Sequence, residues 1–346
     1  MTITRPDDWH LHLRDGPELA AVVGWSARAF ARAVVMPNLK PPVTSVAEAR
    51  TYRDRIRAAL PAGSAFEPLM TLYLTEDMDP AEIDHAAASG IIVGVKCYPA
   101  NATTHSEAGV NSLGRCEAVL ARMEEKDLVL QLHGEATGAA VDPYDRERVF
   151  IESELEPLLK KHARLRVVLE HVTSRAGAEF VRAAGPRVAA TITPQHLLLN
   201  RGAMFAGGLR PHLYCLPVLK RERDREALIE AATAADPRFF LGTDSAPHAR
   251  SAKESGCGCA GVFSAPAAIE LYAKAFEEAG RLERLEAFAS FHGADFYGLP
   301  RNSGTITLRR EPWTVPKTCD FGAGEVVPML AGERLDWKLR EPGGAA

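Results

Sequence analysis

The chain has 346 residues, 46% of them hydrophobic and 25% charged, with a formal net charge of −4. That composition belongs to a globular, enzyme-sized protein, and its balance lacks the basic footprint of a nucleic-acid or anionic-membrane binder. The first residues are polar, with Arg5, Asp7 and Asp8, which excludes a secretory signal, and no apolar run reaches spanning length. Six cysteines in so long a chain make no disulfide framework and point to a reducing cytoplasm.

Apolar, β-like runs fall near residues 2–12, 32–37, 66–75, 91–98, 128–133, 166–172, 188–194 and 239–244. The first ends in Trp9-His10-Leu11-His12. In a strand, residues i and i+2 share a face, so both imidazoles reach one metal ion. Asn38 ends the second run, after Pro37, and a helical stretch starts at Val46. The fourth run carries Lys96 in Val93-Gly94-Val95-Lys96, and a polar, loop-like stretch from Asn101 to Gly109 follows it. A second helical pattern covers Cys116 to Met123. His133 closes the fifth run, His171 the sixth and Asp244 the eighth.

Strands alternating with helices predict βαβ units and a parallel sheet. Eight such units predict a (β/α)8 TIM barrel, which needs about 250 residues. The surplus goes to longer loops and to a C-terminal extension from about residue 304, all within a single domain, 1–346. The extension reads as short strands and turns, because Pro312 and Pro316 break any helix. The tail Pro342-Gly343-Gly344-Ala345-Ala346 reads as frayed. Function in this fold sits at the C-terminal ends of the strands, where His10, His12, Asn38, Lys96, His133, His171 and Asp244 fall. Cys257-Gly258-Cys259 is too close for a zinc-ribbon half-site and reads as a structural turn.

Four histidines and an aspartate suit zinc or a similar divalent ion, and they are more than one open catalytic zinc needs. Two ions are therefore expected, able to share a hydroxide and to polarise a carbonyl. A protein group must bridge them. An ammonium has no lone pair for the task; a carbamate on Lys96 would offer two oxygens. Taken from the residues alone, a lysine contacting an anionic substrate is the simpler reading of Lys96.

The order His-x-His, lysine, histidine, histidine, aspartate on a barrel resembles the amidohydrolase superfamily. Asp8-Trp9-His10-Leu11-His12-Leu13-Arg14-Asp15, Met36-Pro37-Asn38-Leu39, Tyr98-Pro99-Ala100-Asn101-Ala102-Thr103-Thr104, His133-Gly134-Glu135 and Gly242-Thr243-Asp244-Ser245-Ala246-Pro247-His248 resemble its dihydroorotase family, of the short, bacterial, homodimeric type. The match runs through nearly the whole chain. Cys97 departs from it, standing beside Lys96 where a larger apolar residue is expected.

The resemblance implies reversible cyclisation of N-carbamoyl-L-aspartate to L-dihydroorotate, with loss of water, in de novo pyrimidine synthesis. It implies a cytoplasmic homodimer with two Zn(2+) per chain. His10, His12 and Asp244 would bind the more buried ion and His133 and His171 the second, with carboxylated Lys96 bridging both. A bridging hydroxide would attack the ring carbonyl, and Asp244 would carry its proton to the leaving nitrogen.

The substrate's carboxylate would meet Arg14, Asn38 and His248, since a guanidinium matches a planar anion through two parallel hydrogen bonds. Thr103 and Thr104 would belong to a mobile lid. Leu216 and Ala260 would contact the substrate through backbone groups. The residues alone also admit plainer roles: Arg14 in a rim ion pair, Asn38 in a turn, His248 as a helix cap. A hydantoinase-like reading fits less well, because those relatives carry an extra N-terminal β segment and need no Arg14 clamp. A barrel kept only as an assembly partner would have lost ligands, and none of the six is missing.

Overall fold

The computed structural model describes residues 1–340; the tail Pro342–Ala346, read above as frayed, lies outside them. The first β-like run divides in two. Thr2–Thr4 forms a short strand, β1, and the barrel begins at β2, Asp7–Leu11. The break falls at Arg5-Pro6, where proline withholds a ladder donor. The barrel continues through β3 (Arg32–Val35), β4 (Glu67–Tyr73), β5 (Ile92–Cys97), β6 (Val129–His133), β7 (Val167–Glu170), β8 (Val188–Ile192) and β9 (Phe239–Leu241).

These eight strands lie side by side in chain order, each parallel to the next. The first and last meet just past their ends. Asp244 N–H donates to the His10 carbonyl at 2.8 Å, and His12 N–H donates to the Ser245 carbonyl at 3.0 Å. The predicted (β/α)8 barrel is present; β6 ends at His133 as expected, and the other barrel strands stop one to three residues before their apolar runs.

Helices cover the outside. Gly16–Ala29 starts at Asp15, whose side chain accepts from Gly16 N–H, and buries Leu19, Val22 and Val23. Val46–Ala59 opens with a reciprocal cap between Ser45 and Glu48 and buries Ala49, Tyr52 and Ile56. A separate inner cluster gathers Trp9, Val34, Met36, Val129, Val168, Ala189 and Phe240. Tyr297, from helix His292–Tyr297, stacks on Trp9 at 4.7 Å and 10°. The helix comes this close because Gly293 has no side chain: a Cβ there would lie 2.1 Å from Trp9 Nε1.

Simple strand alternation would put Trp9 and Leu11 on one face. Instead Trp9 is in the inner cluster and Leu11 is in the core shared with the helices. The pairing of β2 with β3 slips between Asp8 and Leu11, and this irregularity re-aims the residues between them, His10 among them.

The stretch after residue 304 forms β10 (Thr305–Thr314), β11 (Cys319–Phe321), β12 (Gly324–Val326) and β13 (Arg334–Leu339). β10 is longer than the short strands expected, and Pro312 is tolerated within it because the register against β13 slips between Arg310 and Trp313. β1, β10 and β13 make one antiparallel sheet, and β11 pairs with β12. Buried Glu270 accepts from Leu339 N–H and from Arg28, fastening β13 to the barrel's helices. Among the described residues, no helix is long and apolar enough to cross a membrane.

Candidate metal centre

His10 lies in β2, and His12 follows the end of that strand, so the two are not simply alternate residues of one strand. Their rings nevertheless converge. Asp244 Oδ1 lies 3.5 Å from His10 Nε2 and 3.1 Å from His12 Nε2. Ligand atoms of these three residues all fall within 4.8 Å of one another. His171 brings its ring to 5.1 Å from His10 and 4.8 Å from His133, centroid to centroid. Lys96 reaches in from β5, fully buried, with Nζ 5.0 Å from the Tyr98 ring.

Two of these residues turn out of their strands through strained backbone. His171, one residue past β7, has φ 41°, and Asp244, three past β9, has φ 45°. Arg14 has φ 61°. Side-chain-bearing residues avoid this region unless the surroundings enforce it, and its concentration here marks a functional centre.

The electrostatics favour neutral imidazoles. Burial, reinforced by the charge of Lys96, holds His10 and His171 well below the usual histidine range. Burial also pushes Lys96 down to about 8. Burial alone would raise Asp244, but the hydrogen bond from His12 and the nearby positive charges outweigh it and leave the carboxyl below its ordinary value. Lys96 Nζ and His171 Nδ1 are buried without a hydrogen-bond partner. Such atoms are costly unless something else engages them.

One cavity is lined by His10, His12, His133, His171 and Asp244 together with Arg14, Asn38, Thr103, Thr104, Leu216 and Ala260. Arg14 Nε–H donates to the Pro247 carbonyl at 2.8 Å, and its Nη2 lies 3.0 Å from His248 Nε2. His248 Nε2 is also 2.9 Å from the Ala260 carbonyl. His248 does not cap helix Arg250–Lys253, which has no side-chain cap. Asn38 Oδ1 lies 2.9 Å from His12 Nδ1, and its amide donates to the Thr104 carbonyl. Thr104 Oγ1 donates to the Ala260 carbonyl at 3.3 Å, while Thr103 N–H is held by Ser106 Oγ. The loop that carries both threonines thus folds over the cavity.

The pattern that defines the amidohydrolase family runs through residues 7–325. A dihydroorotase of Laribacter hongkongensis (strain HLHK9) is 63% identical over 340 residues, covering 98% of this chain and 99% of that protein. The chain belongs to the dihydroorotases of the amidohydrolase family.

Solved dihydroorotases share the fold. One from Campylobacter jejuni is 35% identical with a TM-score of 0.90, covering 99% of this chain and 97% of the other. One from Saccharomyces cerevisiae, in complex with 5-fluoroorotic acid, is 32% identical with a TM-score of 0.91, covering 99% and 98%.

In this dihydroorotase-family chain, several residues at the site were not singled out by sequence. Glu170 Oε2 lies 2.8 Å from His10 Nδ1 and accepts from Thr191 Oγ1 at 2.6 Å. Glu135 Oε2 lies 2.8 Å from His133 Nε2. A carboxylate on one ring nitrogen fixes the tautomer and aims the other nitrogen. Glu135, two residues past His133, had a local signal, whereas Glu170 is 160 residues from His10 and had none. Asp8 accepts from Thr243 N–H and Oγ1–H and so holds the approach to Asp244. Tyr98 faces the cavity with its hydroxyl unpartnered. The Cys257 and Cys259 sulfurs are 3.6 Å apart, and all six cysteines are free thiols.

Proposed function

We propose that the chain is a zinc-dependent dihydroorotase, catalysing the reversible ring closure of N-carbamoyl-L-aspartate to L-dihydroorotate with loss of water. The carrying observation is that a buried histidine–aspartate cluster and the guanidinium of Arg14 line one cavity. A metal-activated reaction on a small, carboxylate-bearing ring needs that pair of features.

The residues fit a binuclear centre. His10, His12 and Asp244 would hold one ion, and His133 and His171 the other. Carboxylated Lys96 would join both; its orphaned, buried Nζ and that of His171 Nδ1 support this. Imidazole and carboxylate donors suit zinc. When bound, two such ions activate water near neutral pH and polarise a carbonyl.

The remaining work belongs to the chain. In hydrolysis, Asp244 takes the proton of the attacking water and delivers it to the leaving ring nitrogen; in ring closure it does the reverse. Arg14, Asn38 and His248 hold the ring's carboxylate. Thr103 and Thr104 close the site against water, and Leu216 and Ala260 offer backbone groups to the ring.

This reading includes a single domain, a cytoplasmic location and a homodimer. Ile306, Leu308, Phe321 and Trp337 share the barrel's core, which supports one domain. Phe205 and Leu209, exposed on one segment, are candidate dimer contacts. The test is turnover of both substrates by protein purified without chelators, beside elemental analysis. Activity with about two divalent ions per chain supports the proposal. Full activity in metal-free protein, or no turnover of either substrate by metal-loaded protein, refutes it.

A further inference from the structure

Lys253 is almost fully buried, and no carboxylate lies within ion-pair distance of it among the described residues. Its ammonium instead donates to three carbonyls: Tyr214 at 2.7 Å, Cys259 at 2.7 Å and Gly261 at 2.8 Å. An ammonium has three donors, and all three are used. The acceptors come from two different loops. Tyr214 lies two residues before Leu216, and Cys259 and Gly261 flank Ala260. Gly261 N–H adds a direct bond to the Tyr214 carbonyl at 3.0 Å.

The loop through Cys259 and Gly261 has unusual backbone. Cys259 has φ 26° and Gly261 φ 154°. A Cβ at Gly261 would lie 2.5 Å from the Ala246 carbonyl and 2.9 Å from His248 Cδ2. The backbone here is pressed against the wall that carries His248, and Cys259, unlike the glycine, holds a φ that a side-chain-bearing residue keeps only with support from its surroundings. Between the two clamped residues, the Ala260 carbonyl faces His248 Nε2 and accepts from Thr104 of the lid.

We propose that Lys253 is a positioning residue for substrate binding. Its ammonium ties the Tyr214 loop and the Cys259–Gly261 loop into one unit, which sets the Leu216 and Ala260 backbone against the ring and gives the lid its latch. The inference rests on the reading that this cavity takes dihydroorotate. It assigns Lys253 to binding and lid closure, and it leaves the metal ligands and the proton carrier outside its reach.

The test uses metal-loaded, full-length Lys253→Met and Lys253→Arg. We expect Lys253→Met to retain its metal, to raise KM for both substrates by about tenfold or more, and to keep kcat within about threefold. Lys253→Arg, which keeps the charge and the donors, should recover part of the KM. Hydrogen exchange should quicken at residues 255–261 in the free variant, and substrate should no longer protect residues 101–109. A purely structural lysine would lower Tm without separating KM from kcat. If Lys253→Met fails to fold, Lys253→Gln carries the same measurements. A folded, metal-loaded variant with unchanged KM and unchanged exchange overturns the inference. If the wild type turns over neither substrate, the functional reading fails; exchange at 255–261 then still decides whether Lys253 holds the loops.

Discussion

Glu170 Oε2 sits 2.8 Å from His10 Nδ1, so the His10 ring presents Nε2 to Asp244 and the cavity. The contact spans the barrel from β7 to β2. A carboxylate in this place locks the ring's orientation and would raise its basicity as the proposed ligand. Glu170→Ala should weaken metal affinity by roughly 10- to 100-fold, read by competition with a calibrated chelator. Unchanged affinity would remove Glu170 from the centre.

Lys96 is the residue whose environment makes least sense for an ordinary lysine. It is buried and without a hydrogen-bond partner, and its charge is felt by the imidazoles of His10 and His171 as well as by Glu170 and Asp244. Lys96→Ala should lose both metal and activity, and added short-chain carboxylates should restore part of each. Crystals of fully active, metal-loaded protein showing a bare Lys96 amine would end the carbamate assignment.

Asp244 is held within hydrogen-bonding distance of His12 and is proposed both to bind metal and to move a proton. Asp244→Asn keeps the shape and removes the base. The kcat should fall severely in both directions. Metal content must be measured on the same preparation, and near-normal turnover with metal retained excludes Asp244 as proton carrier.

Arg14 bears on substrate identity. Dihydroorotate differs from dihydrouracil by one carboxylate, and losing a charge-assisted contact costs about 1.5–3 kcal/mol, roughly 10- to 150-fold in kcat/KM. Arg14→Met should therefore impair dihydroorotate turnover at least that much. It should impair an uncharged cyclic amide far less. Equal damage to both substrates contradicts the clamp.

Gly293 tests the barrel's floor. A methyl group there collides with the Trp9 indole, whose ring is already stacked on Tyr297. Gly293→Ala should destabilise the protein by about 1–3 kcal/mol, the cost of overpacking a filled core. The expected readout is a lower Tm and denaturation midpoint; an unchanged midpoint would mean the helix shifts freely.

The barrel was legible because its strands are apolar runs spaced by helical patterns, and because polar residues end those runs. The strand ends were less legible. His171 and Asp244 leave their strands through positive φ, which follows from packing around the site and has no sequence signature in a non-glycine residue. The slip in β2 between Asp8 and Leu11 was equally hidden, since it trades one register against another across a strand pair. Glu135 and Glu170 look like ordinary charges until the fold points them at imidazoles. Lys253 was invisible for a related reason: its three partners are carbonyls, which every residue has.

The join between β2 and β9 has a consequence for how the protein comes into being. Asp8 grips Thr243 across 235 residues of chain, and His10, His12 and Asp244 stand on the two sides of that join. Contacts so distant in sequence carry a loop-closure cost that slows folding. A ribosome-bound N-terminal half therefore carries His10, His12, Lys96, His133 and His171 but lacks Asp244, and with it the carboxylate that faces His10 and His12. The cluster is complete only when the last strand docks, so an ion bound there as proposed would fasten the ring shut. Loss of the ion should loosen the molecule first along this join, where its earliest and latest barrel strands meet.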